Sequence, residues 1–208
     1  MSFEFNFNEK MAEDTVATAG SKVLDTGVYE VEIITAEKII ASTGTIGINW
    51  QIKVEGAKYP NMVYNMWVAK ANGDTLFSMN VVQGLMGIVG AKKLTEYKKT
   101  VEIKDGTKTV DAFKEFDNVK CKVAIQKEYD FYNGEVREKN NIKAFFTTDG
   151  KTFSEMKANK PAKQIEYYET KLKDNYTDAY KKAQADGELN EGTSGEDSKE
   201  EESSGSIL

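Results

Sequence analysis

The side chains in this sequence best suited to chemistry are basic and aromatic residues at alternate positions of short, strand-like segments. Alternate residues of a β-strand point to the same face of a sheet, so we expect these side chains to share one outward surface. The set is Lys53, Lys120, Lys122, Arg137, Lys139, Lys143, Trp67, Tyr132 and Phe145. Such a surface suits single-stranded nucleic acid, because cations follow the phosphates and each ring stacked on an unpaired base contributes about 1–3 kcal/mol. The alternative is that alternating lysines only keep an exposed sheet from aggregating.

The residue inventory argues against an enzyme. The chain has no histidine and one cysteine, Cys121, which excludes histidine-based catalysis, a disulfide and the usual Cys/His zinc site within one chain. Gly84, Gly87 and Gly90 follow a GxxGxxG spacing, but no Lys-Ser/Thr pair follows them, so helix packing is favoured over phosphate binding. The sequence therefore predicts a non-enzymatic protein with no metal and no cofactor.

Composition predicts one globular domain with appendages. The chain has 208 residues, of which 39% are hydrophobic, enough to build a sizeable core. No apolar run approaches the roughly 20 residues of a membrane helix, and MSFEFNFNEK lacks the basic-then-apolar pattern of a signal peptide. We expect a cytoplasmic protein without membrane contact.

The net charge of −6 belongs to the end of the chain. Gly187–Leu208 holds seven acidic residues and one lysine, whereas Ser21–Asp186 holds 26 basic and 23 acidic residues, a net of +3. A segment with so little apolar surface cannot repay the entropy of ordering, so a disordered acidic tail is predicted over 187–208. Such a tail is tethered close to the domain and can compete for any basic groove there. It closes on two aliphatic residues, Ile207 and Leu208.

The first half of the domain is predicted to hold three strands and one helix. VYEVEIITAEKI is rich in β-branched residues, and TIGINWQIKVEG places an inward set at period 2. That inward set is Ile46, Ile48, Trp50, Ile52 and Val54. In MVYNMWVAK the core set is Tyr64, Met66 and Val68, which leaves Trp67 on the outer face. In LFSMNVVQGLMGIVG apolar residues recur at helical spacing from Phe77.

The second half is predicted to hold a long hairpin and a helix. The hairpin turns at Asn133-Gly134, the strongest short-range hairpin signal. Its inward positions are Val119, Cys121, Val123, Ile125, Val136, Ile142, Ala144 and Phe146. From Pro161 an apolar stripe predicts a helix; its members are Ile165, Tyr168, Leu172, Tyr176, Ala179 and Ala183. The stripe could pack on the domain or on a second copy, so a homodimer stays open.

Three strands, a short helix and a hairpin follow the order of an OB-type fold. We therefore expect a mainly β protein: an OB-like antiparallel barrel with one short internal helix, a C-terminal helix and a disordered acidic tail. The expected organisation is an N-terminal arm (1–20), an OB-like domain (21–155), a C-terminal helical segment (156–186) and the tail (187–208).

From about Phe3 to Phe146, including GVYEVEIITAEKIIASTGTIGINWQIKVEG and YPNMVYNMW, the pattern resembles bacteriophage single-stranded DNA-binding proteins of the replication type. The acidic tail resembles theirs in design. The resemblance implies a protein that binds and protects single-stranded DNA during phage-type replication and recombination, in the host cytoplasm. It implies that Glu200, Glu201 and Glu202 guard the DNA groove, and that Ile207 and Leu208 dock on a replication polymerase, helicase or primase.

The end of the tail and a competing interpretation of the fold leave the function open. The tail ends in aliphatic residues where the family more often has an aromatic one, which leaves the partner's identity undecided. The competing interpretation is a β-sandwich protein-interaction or virion-associated module without affinity for nucleic acid.

Overall fold

The computed structural model describes residues 23–56, 62–103 and 106–189. The described chain is mainly β: one open, antiparallel sheet of eight strands accompanied by four short α-helices. This confirms the mainly β, antiparallel class expected from the sequence. The N-terminal arm and tail residues 190–208, including Glu200, Glu201, Glu202, Ile207 and Leu208, lie outside the described residues.

The strands are β1 (Gly27–Ile40), β2 (Ile46–Val54), β3 (Met62–Ala69), β4 (Glu96–Ile103), β5 (Gly106–Phe113), β6 (Val119–Tyr132), β7 (Glu135–Phe146) and β8 (Asn175–Tyr176). The helices are α1 (Met79–Ile88), α2 (Phe153–Lys157), α3 (Gln164–Lys171) and α4 (Asp178–Ala185), and a 3₁₀ turn covers Lys114–Phe116.

Strand β1 is the centre of the sheet. It pairs antiparallel with β2 along one edge, and with β6 and then β5 along the other. Strand β3 pairs with β2, β4 with β5, and β7 with β6, while the two residues of β8 add a short parallel pairing to β6. Among the described strands no backbone pairing joins β3 to β7. The two strands meet through side chains, because the Tyr64 hydroxyl donates a 3.2 Å hydrogen bond to Oδ1 of Asn141.

The core lies between the inner faces of the curled sheet and is centred on Trp50. Its ring lies 5.4 Å from the rings of Phe116 and Phe145. The core includes most of the inward positions predicted for β2 and β3: Ile48, Trp50, Ile52, Met66 and Val68. Strict alternation identified these residues correctly, since each strand faces the core on one side only.

Two local predictions are confirmed and one is wrong. The turn at Asn133-Gly134 has φ angles of 53° and 80°, as a two-residue hairpin turn requires. Helix α1 forms where predicted and buries Val82 and Leu85. Phe77, however, is 86% exposed, because the helix begins at Met79 and Phe77 lies in the preceding turn, outside the helical stripe.

The prediction that Phe145 faces outward is also wrong, because it lies in the core with 4% of its surface exposed. A β-bulge causes the error. Ala124 pairs with Ala144 and Ile125 pairs with Ile142, so Lys143 is an extra residue in β7. An inserted residue reverses the alternation beyond it, and Phe145 therefore shares the inner face with Ile142. Phe146 packs on the opposite face against Ile165.

The apolar stripe beyond Pro161 forms two helices separated by a strand, not one helix. Leu172 is already extended, with a ψ angle of 130°, and the Thr177 side chain caps α4 by accepting from the amide of Tyr180. The intervening chain is held on the edge of β6: Asn175 Nδ2 donates to Glu128 at 2.6 Å, and the Thr177 hydroxyl donates to Asp130 at 2.7 Å. Polar contacts with β6 therefore override helical continuity.

The hairpin β4–β5 was not predicted as an element of its own from the sequence. It is inserted between α1 and β6 and has a small core of its own, formed by Val101, Val110 and Ala112. Lys99 fixes it to the rest of the sheet, since its ammonium donates to the carbonyl oxygen of Ile34 at 2.5 Å and pairs with Asp117 at 2.9 Å.

Candidate nucleic-acid interface

Three of the predicted cations meet on the outer face of β1, β2 and β6. Glu32 of β1 lies opposite both Lys53 of β2 and Lys120 of β6. One row further along, Lys122 pairs with Glu30 at 3.3 Å. These side chains line a shallow cleft of about 270 Å³. Of the nine residues expected to share one outward surface, these three meet in the cleft, whereas Phe145 lies in the core.

The same cleft contains three glutamates, Glu30, Glu32 and Glu55, so its formal charge is close to zero. A side-chain hydrogen bond to Glu30 raises the pKa of Glu55, and the same bond, with Lys122, lowers the pKa of Glu30. Glu30 and Glu32 come from β1, and Glu55 directly follows β2. The sequence could not show this neutralisation, because it depends on strand register.

The second group of predicted residues lies on the β6–β7 arm, which extends past the first residue of β1. Arg137 covers the ring of Tyr132, with the guanidinium carbon 4.7 Å from the ring centroid, and Tyr132 is 56% exposed. Lys139 pairs with Glu128 at 2.8 Å, whereas Lys143 is exposed at the bulge. The arm offers one exposed cation–aromatic pair, while Glu128 offsets the charge of Lys139.

Tyr129, on the same arm, is not available in this arrangement. Its ring stacks on Tyr176 with centroids 5.0 Å apart and an interplanar angle of 8°, and it also contacts Tyr180. The C-terminal segment thus occupies this aromatic surface.

Trp67 forms the third group, at the end of β3. It is 37% exposed and lies opposite Gly47 of β2. A Cβ atom on Gly47 would be 2.7 Å from the indole ring, so the ring packs closely against this glycine. The Ser78 hydroxyl donates to the Trp67 carbonyl oxygen, and the residue before Ser78 is Phe77, which is 86% exposed. The sequence analysis did not include Phe77 in the site.

A continuous row of side chains joins Trp67 to the lysine cleft. The outward residues of β2 are Gly47, Asn49, Gln51 and Lys53, and Asn49 Nδ2 donates to Asn65 of β3 at 2.8 Å. From Gly47 to Lys53 this row is about 20 Å long at the usual rise per residue. We call it the β2 strip. It is uncharged from Trp67 to Gln51 and basic at Lys53.

No protein-family model matches the chain, and no curated protein is significantly similar to it in sequence. Within the described ranges, no helix is both long and apolar enough to cross a bilayer. The same residues contain no cluster of three or more Cys, Asp or Glu side chains placed to hold a metal ion.

Proposed function

We propose that this chain is a single-stranded DNA-binding protein that coats and protects the strand during phage-type replication and recombination. The observation that carries the proposal is Trp67, a 37% exposed ring packed against Gly47 at one end of the β2 strip. Unpaired bases stack on such a ring regardless of sequence. The amides of Asn49 and Asn65 can bond to base edges, and Lys53 and Lys120 can neutralise phosphates. Duplex DNA keeps its bases stacked inside and gains nothing from Trp67.

The strand order supports the finer proposal of an OB-like barrel. Strands β1, β2 and β3 form a meander, a helix follows, and the β6–β7 hairpin returns with β6 on β1 and β7 beside β3. In this interpretation β4–β5 is an insertion ahead of the fourth barrel strand. OB-folds bind oligonucleotides on the face of their second and third strands, which here is the face of Trp67 and the β2 strip.

The balanced charges predict a shallow dependence of affinity on salt. In binding to single strands, the logarithm of the affinity falls by about 0.7 per neutralised phosphate for each unit of log salt. Lys53 and Lys120 have no ion-pair partner among the described residues, so we expect a slope of roughly −1.4. Fluorescence anisotropy with labelled oligo(dT) between low and moderate salt measures it.

Lys53→Gln should reduce that slope by about 0.7. Lys171→Gln, at an exposed position of α3, is the matched control and should leave the slope unchanged. An affinity that does not respond to salt would contradict phosphate contacts at the β2 strip.

We also propose that the acidic tail competes with DNA for this face and, once displaced, recruits a replication polymerase, helicase or primase. Glu200, Glu201 and Glu202 would supply the competing charge, and Ile207 and Leu208 the contact with the partner. Residues 190–208 carry six acids and one lysine. At the high effective concentration of a tethered segment, this charge is a competitor for any phosphate-binding surface.

Truncation after Leu189 should therefore tighten oligo(dT) binding roughly two- to tenfold at low salt, because the tethered competitor is removed. The truncation spares the end of α4, where Gly187 adopts a φ of 71° and its amide bonds to Gln184. A full-length variant with the six tail acids changed to Gln or Asn serves as the length-matched control and should bind equally tightly. Weaker binding after truncation would contradict competition by the tail.

A further inference from the structure

The side of the domain next to α1 carries an apolar groove of about 300 Å³. It lies between the ends of β2 and β3, helix α1 and the chain around Leu94 and Phe113. Its floor is made of buried residues such as Ile48, Val68 and Val82, and its half-buried rim of residues such as Met79, Met86 and Leu94. We call this the α1 groove. Among the described lining residues, Gln83 is the only one with a side-chain amide, hydroxyl or charged group, and its Nε2 donates to the sulfur of Met79 at 3.8 Å.

The volume and chemistry of the α1 groove suit a small apolar side chain. Pockets that hold small ligands begin at about 300 Å³, and flexible methionine side chains adapt to different apolar shapes. A polar or charged ligand would find almost no partner on the walls.

Three lysines are direct sequence neighbours of residues that line the α1 groove. Lys70 follows the lining residue Ala69, Lys93 precedes Leu94, and Lys114 follows Phe113. All three are exposed, and none forms an ion pair with another described residue. The surface therefore combines an apolar centre with a basic border, which suits an acidic segment that carries an aliphatic anchor.

This chain contains one such segment. Residues 190–208 combine a net charge of −5 with Ile207 and Leu208. Nineteen residues reach up to about 60 Å when extended, whereas a folded domain of this size has a radius of gyration of about 15 Å. The segment can therefore reach any point on the domain's surface from Leu189.

We propose that Ile207 and Leu208 dock in the α1 groove of their own chain, with the tail carboxylates against Lys70, Lys93 and Lys114. This places the tail's anchor apart from the lysine cleft, at a groove that shares Gly47 with the Trp67 end of the β2 strip. The docking requires no nucleic acid, so its test stands whether or not the chain binds DNA. Where the chain does bind DNA, the anchor holds the acidic stretch near the Trp67 end of the strip.

A nitroxide attached at Ser206→Cys in the full-length protein tests the docking by NMR. Native Cys121 is 2% exposed, and burial raises the pKa of its thiol to about 12, so the label should react at the introduced cysteine alone. We expect the amide signals of Val82, Gln83 and Leu94 to lose more than half their intensity, while those of Asn133 and Gly134 keep theirs.

Two sets of variants test the aliphatic anchor and the lysine contacts separately. Ile207→Ser with Leu208→Ser preserves the charge and should restore the signals at the groove. Lys93→Glu with Lys114→Glu should restore them as well, whereas Lys160→Glu with Lys171→Glu, at exposed positions on the helical side, should not. The four substituted lysines are exposed, so these lysine variants should fold.

Four results would overturn the proposal. The first three are no localised loss of signal, a loss centred on Asn49 and Asn65 instead of the α1 groove, and full retention of the loss after Ile207 and Leu208 are changed to serine. The fourth comes from mixing isotope-labelled protein that carries no nitroxide with nitroxide-labelled protein that carries no isotope: an equal loss in this mixture would assign the tail to a second copy.

Discussion

Replacement of Trp67 by alanine is expected to weaken oligo(dT) binding roughly 5- to 150-fold, since one ring stacked on a base contributes about 1–3 kcal/mol. The loss should come from the contact with DNA and not from the fold. The ring lies on the outer face, 37% exposed, and Met66 and Val68 supply the core contacts of β3. Trp67→Phe keeps an aromatic surface and should retain most of the affinity. Anisotropy of a labelled oligonucleotide measures all variants in the same way.

The matched control is Tyr167→Ala, which removes an aromatic ring that is 60% exposed on α3. It should bind oligo(dT) like the unmodified protein. Equal affinities of Trp67→Ala and the unmodified protein would contradict the stacking role, and so would an equal loss in the Tyr167 variant.

The second large effect concerns Glu155, a buried carboxylate that joins α2 to α3. It is 7% exposed and accepts hydrogen bonds from the backbone amides of Thr152, Lys163 and Gln164, each at 2.9 Å. Burial by itself raises the pKa of this carboxyl, but the backbone donors outweigh it and lower the pKa from 4.5 to about 2. A charged Glu155 therefore stabilises the folded state.

This pKa fixes the direction of the pH dependence. Because the folded-state pKa lies below the unfolded value, the stabilisation is complete above pH 4.5 and is lost as the pH falls towards 2. Its size at neutral pH is about 3 kcal/mol. Glu155→Gln should thus lower the free energy of unfolding by about 1–3 kcal/mol at pH 7, and by little near pH 2.

Thermal or urea unfolding of both proteins across that pH range measures the difference. Glu166→Gln, at an exposed position in the first turn of α3, removes a carboxylate without these backbone donors and should change stability little. A difference between Glu155→Gln and the unmodified protein that stays constant with pH would show that the charge is not responsible.

The parts of the fold that sequence predicts are those set by local pattern. Alternation over β2 identified Ile48, Trp50 and Ile52 as core, because a strand with one buried face repeats every second residue. Asn133-Gly134 located the hairpin turn, because both residues tolerate a positive φ. These signals come from neighbouring residues and need no knowledge of the rest of the chain.

The sequence-based predictions fail where contacts between distant parts of the chain determine the local structure. The residues around Lys143 carry no sequence signal for a β-bulge. Strict alternation through this position therefore assigned Phe145 to the wrong face of the sheet. The break in the C-terminal stripe depends on bonds from Asn175 and Thr177 to β6, 47 residues away in each case. Local propensity is weaker than such tertiary contacts.

The candidate site shows the same division. Sequence correctly placed Trp67 on the outer face, but of the nine residues expected on one surface only Lys53, Lys120 and Lys122 line the same cleft. It could not reveal that Glu30 and Glu32 of β1 lie between those lysines, since cross-strand neighbours follow from register. It also assigned Phe77 to a buried helical stripe, because the start of α1 is set by contacts with β3.

Binding of single-stranded DNA at Trp67 can be tested by titrating the full-length protein with oligo(dT) and with duplex of equal length. Tryptophan fluorescence is followed at two salt concentrations. Trp50 is fully buried and Trp67 is 37% exposed, so a bound base should quench the Trp67 signal. We predict strong quenching by the single strand, weaker quenching by the duplex, and partial relief by salt. No quenching and no gel shift with either DNA, with or without the tail, would contradict the account and favour a protein-interaction module.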